Sequence, residues 1–66
     1  MKLFNQKGLT VITTLYYKDP EDKVITVNKD DNTNIYYNKV LDSVIIDINK
    51  RKAIIPMHRV LVYEVA

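Results

Sequence analysis

The chain has no cysteine and no tryptophan, and its single glycine is Gly8. Without cysteine, neither a disulfide framework nor a thiolate metal site can staple so short a fold, and the redox compartment is left open. Without a glycine-rich stretch there is no phosphate-cradling loop. One histidine, His58, and one serine, Ser43, leave the usual nucleophile and base pairings scarcely available, so no enzyme is expected. Ser43, His58 and Asp42 are the one combination the sequence leaves open. No apolar run approaches the ~20 residues of a membrane span, and Met1 to Lys7 lacks the apolar stretch of a secretory signal. A soluble, cytoplasmic domain without membrane association is the expectation. The acidic turn DDNTN, Asp30 to Asn34, lacks the glycine and distal glutamate of a calcium loop. Neither metal nor cofactor is expected.

What is present is 66 residues with an apolar content of 47 %, ordinary for a globular chain. Such a chain makes one small domain, residues 1–66, that buries only ~60 % of its unfolded surface. Its stability is marginal, and self-association is the remaining common remedy, so a homo-oligomer is expected. The net charge of +2 is mild, a small electrostatic argument for nucleic acid. Abundant Asn, Lys, Ile and Tyr match AT-rich coding, which suggests a low-GC bacterium or a phage or mobile element living in one.

The apolar pattern has a period of two throughout and nowhere 3.6. LTVITTLYYK, Leu9 to Lys18, predicts a strand with Leu9, Val11, Leu15 and Tyr17 facing the core. Thr10, Ile12, Thr14 and Tyr16 take the other, half-apolar face, which with Tyr36 is a candidate interface. KDPED, Lys18 to Asp22, has the chemistry of a turn and makes a hairpin with KVITVNK, Lys23 to Lys29. A loop at Asp30 to Asn34, a short strand at Ile35 to Asn38, and a polar step through Lys39 to Ser43 with Val40 and Leu41 inward come next. Val44 to Asn49 alternates cleanly, with Val44, Ile46 and Ile48 inward and Ile45, Asp47 and Asn49 outward. NKRK, Asn49 to Lys52, turns into AIIPMHRVLVYEV. Pro56 splits that last segment into strands at Ala53 to Ile55 and Val60 to Val65, because proline has no N–H for a central ladder. Pro56 to Arg59 is then a tight turn, a bulge or one turn of 3₁₀ helix. The sum is an all-β chain of five to six short strands in meander order. It forms an SH3-like or Sm-like barrel or a strongly curled antiparallel sheet.

Pro56 followed four residues later by Val60 resembles the closing element of SH3 domains, where a proline begins the 3₁₀ turn before the last strand. Without tryptophan, binding of Pro-rich peptides is not carried over. Ile55, Pro56, His58, Arg59 and Val60 also resemble the IP-x-HR-Ile/Val ending of a domain family that recognises RNA cyclic-phosphate ends. That resemblance implies a phosphate or RNA site at His58 and Arg59, and a guanidinium fork beside an imidazole suits phosphate oxygens. The alternative is that one of the pair turns inward and bonds backbone carbonyls. Lys50, Arg51 and Lys52 form a basic hairpin tip that either touches phosphates or keeps an apolar hairpin from aggregating. Tyr16, Tyr17, Tyr36, Tyr37 and Tyr63 either stack bases or fill the core, with Tyr16 and Tyr36 the exposed members. Two functions follow from these features. The first is a non-enzymatic, self-associating binding module; the second is an RNA or nucleotide-phosphate binding domain.

Overall fold

The computed structural model describes residues 9–66, and the extended arm expected over residues 1–8 lies outside them. Among the described residues six strands run in the order β1 Leu9–Lys18, β2 Val24–Asn28, β3 Thr33–Asn38, β4 Ser43–Ile48, β5 Arg51–Pro56 and β6 Val60–Val65. One 3₁₀ turn, Met57–Arg59, separates β5 from β6. All pairings are antiparallel, and the strongly curled sheet forms a half-barrel.

The ten residues of β1 serve two sheets. Leu9 to Val11 pair with β3, which leads on through β4 to β5. Thr14 to Lys18 pair with β2, and Ile12 to Tyr17 pair with β6. A simple meander would set β3 beside β2; β3 lies instead against the first residues of β1.

The register with β6 explains the change of direction. Ile12 faces Val65 while Thr14 faces Glu64, so Thr13 is an extra residue on the β1 side, a β-bulge. An inserted residue reverses the alternation. Ile12 points inward before the bulge and Leu15 after it, and both are 0 % exposed. The expected core face is therefore corrected: Val11 is exposed and Ile12 is in the core. Ile35, Val44 and Ile46 complete the buried cluster, with Tyr17, Val27, Tyr37, Ile55, Met57 and Val60 packed against it. Each fully buried aliphatic side chain contributes about 1.5–3 kcal/mol.

The connections differ in detail from the expectations. Val40 is 89 % exposed at the tip of the β3–β4 loop and Leu41 is exposed beside it. The loop is closed by polar contacts, in which the Leu41 N–H donates to Asn38 Oδ1 at 3.0 Å and Ser43 Oγ donates to the Leu41 carbonyl at 3.1 Å. These hold the tip outward. The β4–β5 turn contains two residues, Asn49 and Lys50, and β5 begins at Arg51. Pro56 ends β5, which pairs only with β4 among the described residues, as a proline in a sheet requires.

Asn49 and Lys50 have φ values of 51° and 68°, the two left-handed residues of a type I′ turn. Asparagine tolerates that region and lysine is strained there, by about 1 kcal/mol. Lys50→Gly is expected to raise stability by up to that amount in urea denaturation. A destabilised variant would contradict the turn geometry.

Candidate interaction surface

The structure separates the residues of the phosphate site inferred from sequence. Arg59, at the end of the 3₁₀ turn, points Nη1 at two main-chain oxygens, of Asp19 at 2.8 Å and Lys18 at 3.4 Å. The guanidinium thereby ties the last corner to the β1–β2 turn. That turn is itself closed by Asp19 Oδ1, which accepts from the N–H groups of Glu21 and Lys23. His58 is exposed. Lys50, Arg51 and Lys52 sit at the far end of β5, with Arg51 about 17 Å from Pro56 at the usual rise per residue. The five residues do not converge on one site.

At the hairpin tip Ile46, Ile48, Asn49, Arg51, Lys52 and Ala53 line an open concavity of about 630 Å³. The register places Ile46 opposite Ala53 and Ile48 opposite Arg51, giving an aliphatic floor with a cationic rim. Among the described residues no aromatic ring lines it. Among the described residues the one ion pair joins Lys23 to Glu21, which leaves the three basic residues of the tip without a carboxylate partner.

The tyrosines divide by face. Tyr17 and Tyr37 pack against the core. The Tyr37 hydroxyl donates to Asp42 Oδ1 at 2.8 Å. That bond to a carboxylate favours the neutral phenol and holds its pKa above the ordinary 10.0, with burial acting in the same direction. Ser43 and Asp42 are both engaged in closing the β3–β4 loop, and the Asp42 carbonyl accepts from the Met57 N–H at 3.3 Å.

Tyr16 and Tyr36 are half-buried on the outer face. Ile12, expected beside them, is fully buried and is corrected out of the interface. The register shows what does lie there. Val11, Tyr36, Ile45 and Ile54 form one cross-strand row over β1, β3, β4 and β5. Ile45, outward-facing by alternation, is nevertheless buried within that row, whereas Ile54 at its end is 58 % exposed. On the other sheet Tyr16 stands between Thr26 and Val62.

The expected strand at Val60 to Val65 is β6, and most of it is uncovered. Leu61, Val62, Tyr63 and Val65 are all exposed, on both faces of the strand. Among the described residues β6 pairs with β1 alone, and none of them covers its other edge. A continuous apolar run such as VLVYEV is what two-sided burial produces, yet here both faces are open to solvent. The usable signal is Pro56, which already marks its neighbour β5 as an edge. No family model, curated protein or solved structure matches the chain.

Two outcomes test these contacts. Arg59→Ala is expected to cost about 1.5–3 kcal/mol, the range for hydrogen bonds to charged groups, in urea denaturation. A loss of only a few tenths would mean that the corner does not depend on the guanidinium. Asp42→Asn is expected to lower the pKa of Tyr37 toward 10.0, followed by ¹³Cζ NMR of the tyrosines. A raised phenol pKa stabilises the fold below pH 10 and loses that contribution as pH rises through the folded value. An unchanged Tyr37 titration would remove the carboxylate as its cause.

Proposed function

We propose that this chain is a non-enzymatic β module that works by binding and associates with itself. The observation that carries this reading is the contrast between its edges. β5 has Lys52 and Pro56, the residues with which natural sheets discourage further pairing. β6 has neither. Five of its six residues are apolar, and four of them, Leu61, Val62, Tyr63 and Val65, are exposed along an open edge. An edge of that kind is a template for another strand, and a core of so few buried side chains gains from the extra cover. Light scattering on a sizing column at tens of micromolar is expected to give at least double the 7.7 kDa chain mass. A strictly monomeric species would sink the proposal.

A second reading rests on the hairpin tip. Lys50, Arg51 and Lys52, unpaired beside an apolar concavity, suit an anionic ligand such as RNA or a nucleotide phosphate. His58 and Arg59 follow the opposite end of β5, too far away to join the same contact. Binding through the tip is expected to weaken steeply with added salt in polarisation assays, and to be lost in a variant with all three residues changed to alanine. Salt-insensitive binding, or none, would remove this reading.

A further inference from the structure

We propose that β6 pairs with the β6 of a second copy, antiparallel and about a twofold axis at Val62. This rests on the self-association reading and specifies its geometry.

The first argument is which backbone groups are free. The Thr13 hydroxyl of the bulge donates to the Glu64 carbonyl at 3.1 Å, so Glu64 turns its polar groups toward β1. Backbone groups alternate along a strand, and those of Tyr63 therefore point to the open edge. An incoming strand meets them directly. In the antiparallel pairing Tyr63 of each copy faces Leu61 of the other, the residue that a second register shift leaves without a partner on β1, and Val62 is a non-hydrogen-bonded pair with its own mate.

The second argument concerns partner choice. β5 and β6 run in the same sense around the curled sheet, since β6 is antiparallel to β1 and β5 is reached from β1 through three antiparallel pairings. Joining β5 of one copy to β6 of the next, with one face kept outward, would make a parallel pair with weaker bonds against a strand guarded by Lys52 and Pro56. Pairing β6 with itself is antiparallel by symmetry. It also closes after two copies, where the heterologous alternative would form rings or filaments.

The third argument is charge and face. Glu64 is the only charged residue of β6. An axis at Val62 sets Glu64 opposite Val60, and the two Glu64 residues stand about 13 Å apart. An axis at Glu64 would oppose like charges. On the outer face the row Thr26, Tyr16, Val62 meets its own mirror at the axis, apolar against apolar. The product is a continuous sheet of β2, β1, β6 and their mates, with Tyr16 next to the seam.

Charge exchange at the axis tests this. Val62 is 55 % exposed, so Val62→Lys and Val62→Glu are expected to fold normally by circular dichroism. Each alone is expected to run as a monomer by light scattering, because like charges meet across the axis. Their equimolar mixture is expected to recover the dimer mass. Val62→Cys is expected to form a covalent dimer on oxidation, since Cα atoms about 4.5 Å apart lie within disulfide reach. Ile54→Cys on β5 is expected not to. A wild-type dimer that persists in both charge variants, or that the mixture fails to restore, overturns the twofold pairing while leaving self-association standing. A crosslink through Ile54→Cys overturns it equally, and a monomeric wild type removes the reading beneath it.

Discussion

The fold depends on one surplus residue. In LTVITTLYY the side chains most in need of burial, Ile12 and Leu15, stand three apart, and no strictly alternating strand can point both to the same side. The bulge at Thr13 resolves this by reversing the alternation between them. It is held from two directions: the Thr13 hydroxyl reaches the Glu64 carbonyl, and the Thr13 carbonyl accepts from the Lys29 N–H at 2.9 Å. The bend it introduces divides β1 between two sheets. Curling the half-barrel and filling its core are thus the same event.

The corners follow from what the chain lacks. Residues 9–66 contain no glycine, yet the turns require left-handed backbone at Asp22, Asp42, Asn49 and Lys50. Aspartate and asparagine take three of these four places, being the non-glycine residues that tolerate that region best. Turn carboxylates do further work by accepting nearby N–H groups. Asp30 Oδ1 receives the Asn32 N–H at 2.9 Å, and that bond, followed by one from the Thr33 side chain, holds the Asp30 pKa below 3.8. Its contribution to stability is present above that pH and disappears as pH falls through the lowered value. Arg59 supplies the long-range counterpart, linking residues forty positions apart through the Asp19 carbonyl.

Much of this was legible in the residues. Residue type and period-two alternation identified the six described strands to within a few residues, KDPED identified its hairpin, and Pro56 identified the corner that proves to be a 3₁₀ turn, because each rests on local chemistry. The bulge was not, since a period-two reading of β1 assigns Ile12 to the outside and gives no reason to insert a residue. Val40 and Leu41 were misplaced for a related cause: hydrophobicity suggested burial, while Asn38, Asp42 and Ser43 closed the loop with its tip in water. The cationic residues were identified individually, but adjacency in sequence concealed that β5 sets the hairpin tip and the Arg59 corner at opposite ends of one strand.

The same limit applies to β6, where composition alone cannot distinguish a strand buried by its own chain from one buried by another. Both call for apolar residues on two faces, and the difference lies in the neighbours. β5 carries lysine and proline at its edge and β2 is only five residues long, while β6 is apolar, bonded on one side and exposed on both faces. A sequence that guards one edge of a sheet and leaves another uncovered is distinguishing between two fates for them. Glu64 fits that interpretation: a lone charge two residues from Val62 is avoided by its own mate in the antiparallel register, and slipping the strand until the axis reaches it brings like charges together. In the dimer proposed above, a single glutamate would thereby specify register in a strand whose hydrophobic pattern leaves it open.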